Sequence, residues 1–178
     1  NKIFAGIAPF WGAPAQLKLP SLPHKGAARH SHGLPEYRQT DLAAKAHSAW
    51  KLYTTGAVGS QSLLGLPYLS ELRKWLGKRC QVWPIEGCKL LPRASVVVGE
   101  IYPSILASKE IMADYIKRWP DQLYDILDAQ QVRGSCEQLQ RMFQTDPLFQ
   151  SFIPADIPAN IRIEEGWIMG GSFVRGRQ

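Results

Sequence analysis

Ser95-Val96-Val97-Val98-Gly99-Glu100-Ile101-Tyr102-Pro103 is the stretch on which the fold class turns. Its β-branched and aromatic residues, closed off by Pro103, read as a strand over 96–102. Side chains that are apolar on both faces mark a central strand of an α/β sheet. Its one acid, Glu100, falls near the carboxyl end, where open α/β sheets bind their ligands. The shorter run Gln81-Val82-Trp83-Pro84-Ile85 reads as a second strand. Two strands do not make a stable sheet, so further strands are expected within 1–40 or 161–169, or in chain preceding Asn1.

Around these strands the pattern is helical. Leu42, Ala43, Ala44, Ala46 and Ala49 favour a helix over about 41–50, with Thr40 or Asp41 as its N-cap. A second helix is expected to start near Ser60 and carry Leu63, Leu64 and Leu66. Pro67 is expected to interrupt it before Leu69, Leu72, Trp75 and Leu76 recur at helical spacing up to Gly77. Beyond Pro103, helices are expected over 105–119, 121–132 and 136–143. Residues 1–40, rich in Pro and Gly, read as an irregular arm whose Phe10, Trp11 and Tyr37 pack on something. Residues 41–170 then form the α/β portion and 171–178 a basic tail. The six tryptophans, flanked by apolar neighbours, are mostly core candidates.

The composition narrows the class. The 178 residues are 45% hydrophobic and 20% charged, enough for one domain with a real core. The apolar runs are a handful of residues long, whereas a membrane span needs about 20. No membrane partner is therefore expected. Cys80, Cys88 and Cys136 are odd in number and lack zinc-type spacing, which fits a reducing, cytoplasmic setting. Asn1-Lys2-Ile3-Phe4 carries no initiator methionine and no signal pattern, so the chain is expected to start inside a longer protein. Net charge is +6, but residues 1–120 hold 16 Lys/Arg against 7 Asp/Glu and residues 121–178 hold 5 against 8. The basic part attracts a phosphate-rich partner, a nucleic acid or a nucleotide.

Two sets of residues can carry chemistry. Asp125 and Asp128, three apart in the helix expected over 121–132, project from nearly one face. Together with Glu100 they would make an oxygen-rich cluster suited to Mg²⁺ or Mn²⁺, with Glu100 and Asp128 as the metal ligands. The same acids equally describe a strand end and a helix face turned to water. The segment Thr54 to Gln61 combines Gly56 and Gly59 with hydroxyls at a helix start, where free N–H groups favour an anion. Lys51, Gly59, Ser60 and Gln61 are its phosphate-binding candidates, although the Gly-Lys-Ser/Thr ending of a P-loop is missing. His30 and His32 lie in a glycine-flanked loop and the four histidines form no convincing metal site.

Taken in order, Phe10-Trp11-Gly12, Trp50-Lys51-Leu52-Tyr53, Val58-Gly59-Ser60-Gln61, Gly65-Leu66-Pro67, Val82-Trp83-Pro84, Glu100-Ile101-Tyr102-Pro103-Ser104, Asp128-Ala129-Gln130-Gln131-Val132-Arg133 and Glu164-Glu165-Gly166-Trp167-Ile168 resemble an uncharacterised bacterial family. That family is distantly related to ribonuclease-H-like domains of unknown function, and its members are often labelled as molybdopterin guanine dinucleotide or cobalamin biosynthesis proteins. The resemblance implies a ribonuclease-H-like mixed sheet flanked by helices, incomplete at the N-terminus because the first strand and its acid would precede Asn1. It also implies that Glu100 matches the strand glutamate and Asp125 and Asp128 the helix acids. Two functions follow as expectations. One is divalent-metal-dependent phosphodiester or phosphate hydrolysis through Glu100, Asp128 and Asp125. The other is a non-catalytic nucleotide- or partner-binding module linked to cofactor biosynthesis.

Overall fold

A computed structural model describes residues 8–26, 34–106, 112–114, 126–145, 152–154 and 156–171. Among these residues the chain mixes helices with two small two-stranded sheets. It divides into two compact units, Asn1–Cys80 with Arg93–Val96, and Gln81–Pro92 with Val97–Gln178.

In the first unit the arm is stitched to the segment before the long helix. Trp11 N–H donates to the Trp50 carbonyl at 3.1 Å and Leu52 N–H donates to the Trp11 carbonyl at 2.8 Å, an isolated parallel bridge between Trp11 and Lys51. Phe10 meets the Trp50 ring edge-on at 5.0 Å, and the Trp11 indole N–H donates to the Glu36 carboxylate at 2.9 Å. The arm's Phe10 and Trp11 thus do pack, whereas Tyr37 is exposed.

Helix α1, Gln39–Ala44, is shorter than its alanines promised and is capped by Arg38. Asp41, expected near the cap, sits one turn inside. It accepts the Arg38 N–H at 2.9 Å and a two-pronged guanidinium contact of 2.7 to 3.2 Å. The pair lets a carboxylate with 1% exposure stay buried. Lys45 then turns left-handed (φ 52) and ends the helix.

Helix α2, Gly59–Leu76, runs unbroken through Pro67 and stops at Gly77 (φ 55). Proline in a helix removes one N–H and crowds the carbonyl four residues back. Here most of the helix is exposed, so water can take up the freed carbonyl. The apolar pattern expected to face a core does not: Leu64 is 72% and Trp75 74% exposed, and Leu63, Leu66, Leu69 and Leu72 are exposed too.

The expected strand over 96–102 is two strands. Strand β1, Cys80–Val82, neighbours β2, Val96–Val98, while β3, Glu100–Ile101, pairs in parallel with β4, Ile168–Met169, in the register Glu100 to Ile168. Gly99 lies between them. A Cβ there would stand 2.2 Å from the Met169 methyl, the end of a flexible side chain that would have to move aside. Val97 and Ile101 are exposed, so the stretch is not a central buried strand. β4 supplies one of the strands expected within 161–169.

The second unit has the larger core, with Trp83, Leu106, Phe152, Ile157, Ile161, Trp167 and Ile168 buried. Helix α3, Pro103–Leu106, packs on α4, Leu127–Thr145. The expected break before 136 is absent because Gly134 and Ser135 are taken into the helix and buried. The rest of the helices expected over 105–119 and 121–132 falls largely outside the described residues. Gln81, fully buried, organises the loop that follows it. Its amide nitrogen donates to the carbonyls of Gly87 (3.3 Å) and Lys89 (2.9 Å), and its oxygen accepts the Leu91 N–H (2.9 Å). From helix α5, Ala159–Glu164, Arg162 donates to the carbonyls of Pro84 and Ile85 at 3.3 and 2.7 Å.

Two substitutions test this account by urea denaturation. Gln81→Leu removes the partner of two carbonyls and an N–H in a half-exposed loop, where water can replace part of what is lost, and is expected to cost about 1–3 kcal/mol. The Ser135 hydroxyl is buried and has no hydrogen-bond partner among the described residues. Ser135→Ala is therefore expected to stabilise the chain by about 1 kcal/mol.

Candidate functional site: the cleft at the start of the long helix

The segment that joins the arm bridge to α2 folds back on itself. Ala57 N–H closes a turn onto the Thr54 carbonyl at 2.9 Å, and Gly59 N–H donates to the Lys51 carbonyl at 3.1 Å. Thr54 adopts φ +96, a conformation that costs a β-branched residue roughly 1–3 kcal/mol. This loop walls a cleft of about 420 Å³ lined by Leu52, Tyr53, Thr54, Thr55, Ala57, Ser60 and Gln61.

Of the four phosphate-binding candidates, the structure keeps two in the cleft wall. Ser60 and Gln61 are the second and third residues of α2, where the helical pattern offers their N–H groups no acceptor. Among the described residues none takes them up; the Ser60 hydroxyl contacts the Gln61 side-chain oxygen at 3.2 Å. Gly59 is a correction. It is buried and its N–H is spent on Lys51, so it supports the turn and cannot face an anion. A Cβ at Gly59 would lie 2.3 Å from the Ala49 carbonyl oxygen and 2.7 Å from that of Lys51. Lys51 sends its ammonium to the carbonyl of Thr55, a cleft residue, at 3.0 Å, with the Trp11 ring centroid 5.8 Å away. Its charge is thus fixed beside the cleft and two of its three N–H donors remain for other acceptors.

Sequence reading did not single out Tyr53, which lines the cleft and is 54% exposed. The signal was its place directly before the Thr54–Gln61 turn.

The acidic candidates are arranged differently. Glu100 lies in β3 and Asp128 in the first turn of α4, both exposed. Asp125 lies outside the described residues, as do His30 and His32. Among the described residues no group of three or more His, Cys, Asp or Glu side chains converges. Cys80, Cys88 and Cys136 are free thiols. No helix of the described residues is long and apolar enough to cross a membrane.

Gly59→Ala tests the construction of the cleft. The added methyl must push two carbonyls aside, so the variant is expected to lose roughly 1–3 kcal/mol. The Ser60 and Gln61 amide resonances should shift with it. An unchanged melting curve would show that α2 does not press on residues 49–51 as described. No family model, curated protein or solved structure matches the chain, so the functional reading rests on this geometry and on the residues themselves.

Proposed function

We propose that the chain is a binding module for a phosphate-bearing ligand of the nucleotide class, seated in the cleft between Leu52 and Gln61. The observation that carries this is the meeting, in one cleft, of an exposed aromatic ring with two unengaged N–H groups at a helix start. A phosphate fits the Ser60 and Gln61 N–H groups, favoured by the positive end of the α2 dipole. The Lys51 ammonium adds a charge beside them, and Tyr53 offers a face on which a base stacks. The cleft's volume lies in the range of small-ligand sites, about 300–1,000 Å³. The net charge of +6, concentrated in residues 1–120, draws anionic ligands toward this part of the chain.

The ribonuclease-H-like relation belongs to the same proposal, as does a cytoplasmic setting. An acid in a short parallel strand, Glu100, and an acid in the first turn of a long later helix, Asp128, are the features that support it. On this reading the fold carries a ligand and does not turn it over.

Titration with adenosine monophosphate and with inorganic phosphate, followed by amide NMR, is expected to shift Ser60 and Gln61 first. Gln61→Glu separates binding from stability. A carboxylate in the first turn of α2 stabilises the helix by about 0.3–1 kcal/mol, yet it repels phosphate and should weaken binding about tenfold or more. Equal affinity in Gln61→Glu and in the unsubstituted chain would remove the cleft from the proposal. With Mg²⁺ or Mn²⁺ the chain is expected to hydrolyse neither phosphodiesters nor phosphomonoesters. Turnover that Glu100→Gln or Asp128→Asn abolishes would put hydrolysis in place of binding.

A further inference from the structure

Helix α2 buries Gly59 at its start, and Gly59 with the half-exposed Leu63 and Leu66 lines a small pocket of about 200 Å³ together with Phe10 and Trp50. At 3.6 residues per turn, Leu64, Tyr68, Leu72 and Trp75 follow one another along the opposite side of the helix. Their exposures are 72%, 80%, 39% and 74%. A stripe of this kind is ordinarily the face a helix buries.

We propose that this stripe pairs with the same stripe of a second copy of the chain, the two α2 helices running antiparallel. The exposed apolar area of the stripe, with its flanking leucines, is on the order of 600 Å² for each copy. That is large for a monomer's patch and near the roughly 800 Å² that one side of a stable interface buries. A two-fold axis through the middle of the stripe sets Leu64 of one copy against the Leu72–Trp75 end of the other, so the apolar row is self-complementary. Gly65 borders the stripe, and a Cβ there would meet nothing within 4 Å. A glycine in mid-helix weakens an isolated helix. Between two helices the missing side chain lets the backbones come close.

Charge sets the orientation and the occupant. Arg73, Lys74, Lys78 and Arg79 crowd the C-terminal end of α2 and the turn after it, and Glu71, the one acid in the helix, is held by Lys74 at 2.7 Å. Parallel helices would stack the two basic ends. Antiparallel pairing sets them about 20 Å apart, beyond the screening length of about 8 Å at physiological salt. A lipid surface fits this distribution less well. A helix lying on anionic lipid carries cations along its flanks, whereas the first two turns of α2 hold none.

Sedimentation equilibrium on the whole chain is expected to give twice the monomer mass of 19.9 kDa. Leu64→Lys and Trp75→Lys, at positions exposed in the single chain, should return it to monomer with the far-ultraviolet circular dichroism retained. Gly65→Leu provides a second variant should the lysines unfold the helix, since the single chain has room for the larger side chain. It should raise the dimer dissociation constant by about tenfold or more. A monomer at every concentration would overturn the proposal. So would a dimer indifferent to all three substitutions, or a monomer that instead sediments with anionic vesicles.

Discussion

Backbone that is buried outside helices and sheets still has to find hydrogen-bond partners, and this constraint shapes the chain more than any ladder does. Among the described residues the sheets are two pairs of strands no longer than three residues. Side chains therefore serve the loops. Gln81 holds three backbone groups of the loop after β1, and Arg162 holds two carbonyls of the same loop from 77 and 78 residues away. Ser48 donates to the Glu36 carbonyl while accepting the Trp50 N–H. The indoles of Trp50, Trp83 and Trp167 each donate to a backbone carbonyl. Tryptophan suits this role because one side chain supplies both a large apolar area and a directional donor.

The cleft follows from the same economy. The arm's bridge at Trp11 and Lys51 gives the segment before α2 its only strand-like partner among the described residues. Once residues 50–52 are held, the N–H of Gly59 closes onto the Lys51 carbonyl and the loop between them has to bulge outward. The strained Thr54 and the opening above Ser60 and Gln61 are what that bulge leaves. An irregular arm of this kind does more than connect, because its removal would take away the partner that positions the cleft's floor.

Helix α2 shows why a hydrophobic pattern and a core are different things. Leucines and a tryptophan at helical spacing mark apolar positions along a helix, but not what those positions meet. Here Gly59, buried against the carbonyls of Ala49 and Lys51, decides the inward edge. Only a residue without a side chain allows the helix start to approach so closely. The larger apolar stripe then points the other way, which is the geometry on which pairing with a second copy rests.

Local chemistry made much of this legible. Ser60 near a helix start, Gly77 as its stop, the beginnings of the strands expected over 81–85 and 96–102, of which 80–82 and 96–98 form, the packing role of Phe10 and Trp11, and a further strand within 161–169 depend on residues that act over a few positions. The sequence alone could not show that the run over 96–102 divides at Gly99 into two strands with different partners, because β3 pairs with a segment nearly seventy residues away. Nor could it show that Gly59 lies buried with its N–H spent while Ser60 and Gln61 keep theirs, or that Glu100 and Asp128 are exposed on separate elements. Propensity is a property of neighbours along the chain. Which N–H stays open and which side of a helix stays bare are set by contacts between segments far apart in sequence, and those exist only once the chain has folded.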